Sequence, residues 1–317
     1  MTSTERTDRH EVEIAAAAEE VFSRLLDVSR WAEMFEPTIH GCELSRDGAI
    51  QNIQLWATAN GEPKTWVSQR VIDDDARTIH FSQTVPSPPV AAMTGQWTVT
   101  PTDRTRCAVE LLHTYRADDG TGETLDWISR AVDVNSSIEL SALKTACEST
   151  ADAAGAPFTF SDHVDTDAAP ERVFAFLDRG NLWAERLDHV AEVEMRELPG
   201  GLQHLRMNTR TSDGDTHLTE SFRVSQPPAV LLYKQTTLPR LLTLHIGRWT
   251  IRPAGEKWRV TSTHTIAVRP EVIVPLLGPG VTTEQARVVA RRNLGTNSLR
   301  TLEAAVRWAA ANDVTRK

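Results

Sequence analysis

Two short stretches hold the side chains best suited to chemistry. In Thr65-Trp66-Val67-Ser68-Gln69-Arg70-Val71 an extended backbone puts Trp66, Ser68 and Arg70 on one face, because successive strand side chains alternate. That face combines an aromatic wall, a hydroxyl and a permanent cation, which suits a ligand of flat carbon rich in oxygen. A second stretch, His217-Leu218-Thr219-Glu220-Ser221-Phe222-Arg223-Val224, again sets Ser221 and Arg223 two apart. The plainer alternative is an exposed strand face with a Trp on it.

Pleat parity selects two histidines. In Val109-Glu110-Leu111-Leu112-His113-Thr114-Tyr115-Arg116, the apolar face shows Val109, Leu111, His113 and Tyr115. In Arg259 to Arg269, Val260, Ser262, His264, Ile266 and Val268 share a face. A neutral inward imidazole can titrate near neutral pH and serve as general acid or base, although a lone inward His is more often a satisfied core residue. Parity also turns Trp97 and Trp249 inward. It turns Arg223 outward, since Leu218, Phe222 and Val224 lie on the opposite face. Asn135 and Asn293 fall on long helices, where either water or a cavity could receive them.

These residues belong to a chain that repeats itself. Val21-Phe22 and Trp31-Ala32-Glu33 recur as Val173-Phe174 and Trp183-Ala184-Glu185, 152 residues on. Gly95-Gln96-Trp97-Thr98-Val99-Thr100-Pro101 recurs at the same offset as Gly247-Arg248-Trp249-Thr250-Ile251-Arg252-Pro253. His113-Thr114 meets His264-Thr265 at 151, and Arg70-Val71 meets Arg223-Val224 at 153. The period is far above the roughly 20–50 residues of solenoid repeats, so the 317 residues read as a duplicated domain. The boundaries expected are 1–152, a linker at 153–157, and 158–317.

Each half has the same order of elements. A short strand (8–14; 158–165) leads into a helix with apolar residues at helical spacing, Val21, Phe22, Leu25 and Leu26 in the first copy. In the second, Pro170 and Glu171 fall in the first turn after Asp167 as a cap. Short strands follow, separated by Arg46-Asp47-Gly48, Asn60-Gly61, Asp73-Asp74-Asp75, Pro199-Gly200-Gly201, Asp213-Gly214 and Pro227-Pro228. Asn60-Gly61 between apolar runs is a hairpin signal. Long helices over 122–150 and 283–311 close the halves. The class is α+β, with six or seven antiparallel strands and one long C-terminal helix per domain, and a ligand cavity between the two.

Composition narrows the function. A net charge of −9 disfavours nucleic acid as the main partner. No apolar run reaches the roughly 18 residues of a membrane span. Met1 to Glu13 lacks the apolar core of a signal peptide. Cys42, Cys107 and Cys147 lack metal-ligand spacing and read as reduced thiols of a cytoplasmic protein. There is no GxGxxG, no P-loop and no His/Cys cluster, so no cofactor or metal is expected.

The chain resembles the didomain aromatase/cyclases of bacterial type II polyketide synthases, within the Bet v 1/START-like superfamily. The resemblance covers nearly the whole chain and rests on Val28 to His40, Leu55 to Gly61, Trp66-Val67-Ser68-Gln69-Arg70 and Gly95-Gln96-Trp97. It implies two tandem helix-grip domains, each a curved antiparallel sheet wrapped around a long C-terminal helix with an interior pocket for a poly-β-ketone. It also implies that Arg70 and His113 act, with Arg223 and His264 as their second copies, which overrides the parity reading of Arg223. Trp31, Trp66, Ser68, Trp97, Tyr115, Asn135, Ser221 and Trp249 would bind substrate. Thr219 stands where the first half has Trp66. Some relatives add an acid from the long helix, for which Asp126 and Asp133 are the candidates here.

The partner implied is a polyketide on an acyl carrier protein, among the other synthase subunits. Arg287, Arg291 and Arg292, near Arg300 and Arg307, form the densest basic cluster for docking an acidic carrier; a solvated helix face is the alternative. Two competing functions are a non-catalytic carrier of a hydrophobic or aromatic ligand, and a scaffold in which one half stabilises the other.

Overall fold

The computed structural model describes residues 5–149, 155–210 and 216–311. The chain divides into two compact units, Met1–Ala151 and Asp152–Lys317. Residues 153–154 of the expected linker and the Asp213-Gly214 turn lie outside the described residues.

The first unit runs β1 (Glu5–Ile14), α1 (Ala18–Leu26), α2 (Trp31–Met34), β2 (Thr38–Asp47), β3 (Ile50–Ala59), β4 (Glu62–Asp73), β5 (Thr78–Val85), β6 (Val90–Asp103), β7 (Arg106–Ala117) and α3 (Gly122–Glu148). The second runs β8 (Phe158–Thr166), α4 (Pro170–Asp178), α5 (Trp183–Arg186), β9 (Val190–Leu198), β10 (Leu202–Arg210), β11 (Thr216–Gln226), β12 (Val230–Thr237), β13 (Leu242–Ala254), β14 (Lys257–Val268), α6 (Ile273–Leu277) and α7 (Thr283–Ala311). Each unit has one seven-stranded sheet, in the orders β1-β7-β6-β5-β4-β3-β2 and β8-β14-β13-β12-β11-β10-β9. All neighbouring strands are antiparallel.

Local sequence explains the elements. Asn60 and Gly61 both take positive φ, 50° and 78°, and close the β3–β4 hairpin with Ala59 opposite Glu62, as a tight primed turn requires. Thr121 caps α3, its hydroxyl accepting from the Thr124 amide at 3.2 Å. Thr282 and Gln285 form a reciprocal capping box before α7, at 2.9 and 3.2 Å. Pro170 opens α4, but Ala169 is its N-cap and makes no side-chain bond. Asp167, expected there as a cap, instead lies 3.6 Å from Lys257.

The sheets grip their helices through alternating apolar positions. In the first unit Ile53, Ile79, Val99, Val109 and Leu111 meet Leu140 and Leu143 of α3, with Val21, Leu25 and Phe35 at one end. In the second, Leu231, Ile251 and Val260 meet Leu302, Ala305 and Ala309 of α7. Burying a side chain the size of Leu or Ile contributes about 1.5–3 kcal/mol.

Two arginines assigned to carrier docking are part of this packing. Arg291 holds Asp162 of β8 through two bonds, 2.7 and 3.0 Å, and stacks on Phe160 at 4.4 Å. Arg287 stacks on Phe158 at 4.5 Å and donates to the Ala156 carbonyl at 3.1 Å. They fasten α7 to β8 and are not a free basic cluster; Arg292 and Arg300 are exposed.

Candidate functional site

The cation comes first because it is the costliest group to bury. Arg70 lies in β4 and is 1% exposed; Arg223 lies at the same place in β11, also at 1%. Both are held in the same way. Arg70 Nη2 donates to the carbonyl of Leu25, at the end of α1, at 2.8 Å, and the guanidinium lies over Trp31 at 5.5 Å. Arg223 Nη2 donates to the carbonyl of Leu177, near the end of α4, at 2.7 Å and lies over Trp183 at 5.1 Å. A helix C-terminus offers orphan carbonyls that suit a cation. Burial pulls both guanidinium groups down to about 10, with Arg46 adding to the shift at Arg70. Nε and Nη1 of Arg70 are buried with no protein acceptor among the described residues.

Parity misplaced Arg223. Phe222 and Val224 on the other face are buried as well, at 8% and 0%. With both faces covered, the apolar pattern carries no information about which side holds the cation.

In the first unit Arg70 shares a chamber with Ser68, Trp31, Trp66, Trp97 and His113. An adjoining chamber of about 810 Å³, mouth included, is lined by Lys64, Trp66, His113, Trp127, Asn135 and Ser136, among others. Asn135 is fixed by donating to the Thr58 carbonyl at 2.8 Å. His113 packs edge-on against Phe81 at 5.3 Å, and its Nδ1 has no partner among the described residues. Burial pulls its imidazole down to about 4, with the neighbouring His10 adding to this, so it is neutral at neutral pH.

Glu139 of α3 lines both chambers. Burial raises its carboxyl to about 8, so it is a protonated acid at neutral pH. Asp126 and Asp133 do not reach the cavity: Asp126 pairs with Arg6 at 2.9 Å and Asp133 with His10 at 2.9 Å, both largely exposed. Glu139 was missed, yet it stands on the stripe Val132, Ser136, Leu143 at spacings of 4, 7 and 11 residues from Val132. An acid on a buried stripe is the signal.

Tyr115 is a correction. It is buried at 1%, but its hydroxyl donates to Asp8 at 2.5 Å and it packs with Leu125, Ile128 and Val132. Ser129 donates to the same carboxylate at 3.2 Å. Tyr115 thus ties β7 to β1 and α3, away from both chambers.

The second cavity, also about 810 Å³ with its mouth, is lined by Trp183, Thr219, Ser221, Arg223, Tyr233, His245, Trp249, His264, Asn297, Ser298 and Thr301, among others. Asn293 is exposed; Asn297, one turn on, takes the inward place. The last helices align at an offset of 162, pairing Asn135 with Asn297, Ser136 with Ser298 and Glu139 with Thr301. The insertion before α7 carries α6. The second cavity therefore has no counterpart of the Glu139 carboxyl. At matching positions the first domain has Phe81, Met93 and Leu111 and the second has Tyr233, His245 and Ser262. Among the described residues no group of three or more His, Cys, Asp or Glu is placed to hold a metal ion. No helix there is long and apolar enough to cross a membrane.

A seven-stranded antiparallel sheet gripping one long helix over an apolar cavity with a buried cation, built twice, defines a didomain helix-grip protein. The chain belongs to the family described as polyketide cyclase/dehydrase and lipid transport, which matches residues 5–148 and again 157–307. It is 37% identical over 300 residues to the granaticin polyketide synthase bifunctional cyclase/dehydratase of Streptomyces violaceoruber, covering 94% of this chain and 93% of that protein. It is 35% identical over 303 residues to the actinorhodin polyketide synthase bifunctional cyclase/dehydratase of Streptomyces coelicolor, covering 92% and 93%. The crystal structure of the di-domain ARO/CYC BexL superposes with a TM-score of 0.85 at 43% identity, covering 96% of this chain and 98% of that one.

Proposed function

We propose that this chain is an aromatase/cyclase that closes, dehydrates or both the first ring of a poly-β-ketone presented on an acyl carrier protein. The observation that carries this reading is the first cavity's trio. A cation with unpartnered donors, a neutral imidazole and a protonated carboxyl border one enclosed, tryptophan-lined space.

Each group has a step. A methylene between two carbonyls loses its proton to His113, and the enolate charge forms against Arg70. The carbanion attacks a third carbonyl, a C–C bond forms, and the alkoxide is protonated. The His113 imidazolium gives its proton to that alkoxide. Neutral His113 then takes a second carbon-bound proton as Glu139 protonates the departing hydroxyl, giving the double bond and water, and the proton on His113 passes back to Glu139. The sum is redox-neutral and calls for no electron carrier. A fixed cation of this kind is worth about 10²–10³ in rate, and a placed proton donor or acceptor about 10²–10⁴. Trp31, Trp66 and Trp97 hold the chain bent so that one pair of carbons meets. The domain limits proposed are 1–152 and 158–317, and the setting is the cytoplasm beside the other synthase subunits.

The test is reconstitution with a minimal synthase, with and without a ketoreductase, followed by product identification. Correctly cyclised aromatic product that depends on Arg70 and His113 supports the assignment. Unchanged product with His113→Ala, at unchanged ligand affinity, would leave a carrier of hydrophobic cargo as the better reading.

A further inference from the structure

The second cavity holds a hydrogen-bonded chain with no equivalent in the first. We propose that the C-terminal domain moves protons along Ser298, His264, His245 and Tyr233, with Tyr233 and Ser298 touching the substrate and the two imidazoles acting through them. The inference rests on the reading that this cavity, like the first, receives the polyketide.

Geometry orders the chain. Tyr233 of β12, Gly247 of β13 and His264 of β14 lie side by side in register. A Cβ on Gly247 would sit 1.8 Å from the Tyr233 ring, so only glycine lets the phenol lie across the strand. This brings the Tyr233 hydroxyl to 3.5 Å from His245 Nε2 and 3.4 Å from His264 Nδ1. His245 Nε2 is 2.9 Å from His264 Nδ1, and His264 Nε2 is 3.0 Å from both the Ser262 and Ser298 hydroxyls.

One tautomer assignment fits the short contacts, with the single lone pair of His264 Nε2 shared by two serine hydroxyls. Gln235 Oε1 accepts from His245 Nδ1 at 2.8 Å, which leaves His245 Nε2 with a lone pair. His264 Nδ1 then donates to His245, and His264 Nε2 accepts from the serines. Trp249 Nε1 donates to Ser262 at 2.8 Å, fixing that hydroxyl's direction. Burial holds both imidazoles neutral, with His264 down to about 4 and His245 well below its ordinary value. Both nitrogens of His264 are thus taken by the protein, whereas Nδ1 of His113 is not. The imidazole of the second cavity reaches substrate through its hydroxyl neighbours.

Such a chain fits loss of water, which needs one proton off carbon and one onto oxygen. The C–H bond breaks and its proton goes to the Ser298 oxygen, while the Ser298 proton moves to His264 Nε2. The His264 Nδ1 proton passes to His245 Nε2 and on to the Tyr233 oxygen, as Tyr233 protonates the departing hydroxyl. The C–O bond breaks, a C=C bond forms and water leaves. Ser298, His245 and Tyr233 end as they began, while His264 ends as its Nε2–H tautomer and returns the proton to Nδ1 through water in the emptied cavity before the next turnover.

The test uses the full-length chain carrying Glu139→Gln, which removes the acid assigned to dehydration in the first cavity, and a synthetic cyclic β-hydroxy ketone that becomes aromatic on losing water. Tyr233→Phe and His245→Met copy Phe81 and Met93 of the first domain; His245→Gln keeps a polar side chain but carries no transferable proton. Each is expected to lower kcat by about 10²-fold or more with KM within about threefold. The double variant should be no slower than the slower single, because members of one relay are not additive. Melting temperatures and affinity for an unreactive aromatic analogue check that the cavity survives; if His245→Met melts early, His245→Gln decides. Unchanged kcat in a folded single variant, or losses that multiply in the double, overturns the relay. Arg223→Ala separates the two levels. If it is inactive while the relay variants are not, the relay alone fails; if all retain full kcat, the second cavity is not the site.

Discussion

Arg70 Nη2 donates to the Leu25 carbonyl at 2.8 Å, while Nε and Nη1 of the same guanidinium meet no protein acceptor among the described residues. The cation is anchored by one bond to backbone, and the residue borders the chamber with its other donors unpartnered. The second domain repeats the anchor with Arg223 and Leu177 at 2.7 Å.

Arg70→Met should therefore separate catalysis from folding. Ring formation is expected to fall by about 10²–10³, while the melting temperature holds or rises, because a buried charge is replaced by an apolar side chain of similar length. Arg70→Lys should stay slow, since an ammonium cannot reproduce the planar guanidinium. Full activity in Arg70→Met would remove the cation from the mechanism.

Glu139 sets an alkaline limit. As a protonated acid with its carboxyl raised to about 8, it should give a rate that falls as pH rises through about 8, and Glu139→Gln should erase that limb. The stability sign is the same. A folded value above the unfolded one means that the contribution is complete below about 4.5 and lost as pH rises through about 8. Denaturant melts across that range, wild type against Glu139→Leu, measure it directly.

His113 sets the opposite limit. Its imidazole is depressed from 6.5 to about 4, so the contribution to stability is complete above about 6.5 and lost as pH falls through about 4. Activity that needs the neutral ring should persist to pH values well below 6.5. A rate profile with an acid limb near 6.5 would contradict a buried imidazole as the base.

Gly95 and Gly247 should tolerate no side chain. A Cβ would lie 2.3 Å from Phe81 in the first domain and 1.8 Å from Tyr233 in the second. Gly95→Ala and Gly247→Ala are each expected to cost about 1–3 kcal/mol by overpacking, measured by chemical denaturation.

Much of this architecture was legible because duplication prints itself in spacing. The Gly-x-Trp pairs at Gly95 and Gly247 and the Trp-Ala-Glu pairs at Trp31 and Trp183 align at one offset, and their residues form matching elements. Parity found His113 and His264 because β7 and β14 are clearly one-sided. It failed at Arg223, where both faces of β11 are buried. Tyr115 shares a face with His113 but lies two residues along, about 7 Å by strand rise, which carries it to Asp8. Glu139 escaped notice because a protonated carboxyl on an apolar stripe looks, by type alone, like a surface acid. Arg287 and Arg291 looked like a docking patch because no sequence pattern reveals that Asp162, Phe158 and Phe160 of β8 lie beneath them.

The backbone anchor of Arg70 has an electrostatic consequence. No carboxylate among the described residues hydrogen-bonds that guanidinium, and Glu43 acts on it only through space, so the first hollow is bordered by a positive group without a bonded counter-ion. Small oxyanions such as sulfate and phosphate will compete for it, and turnover should slow in buffers rich in them relative to chloride at equal ionic strength.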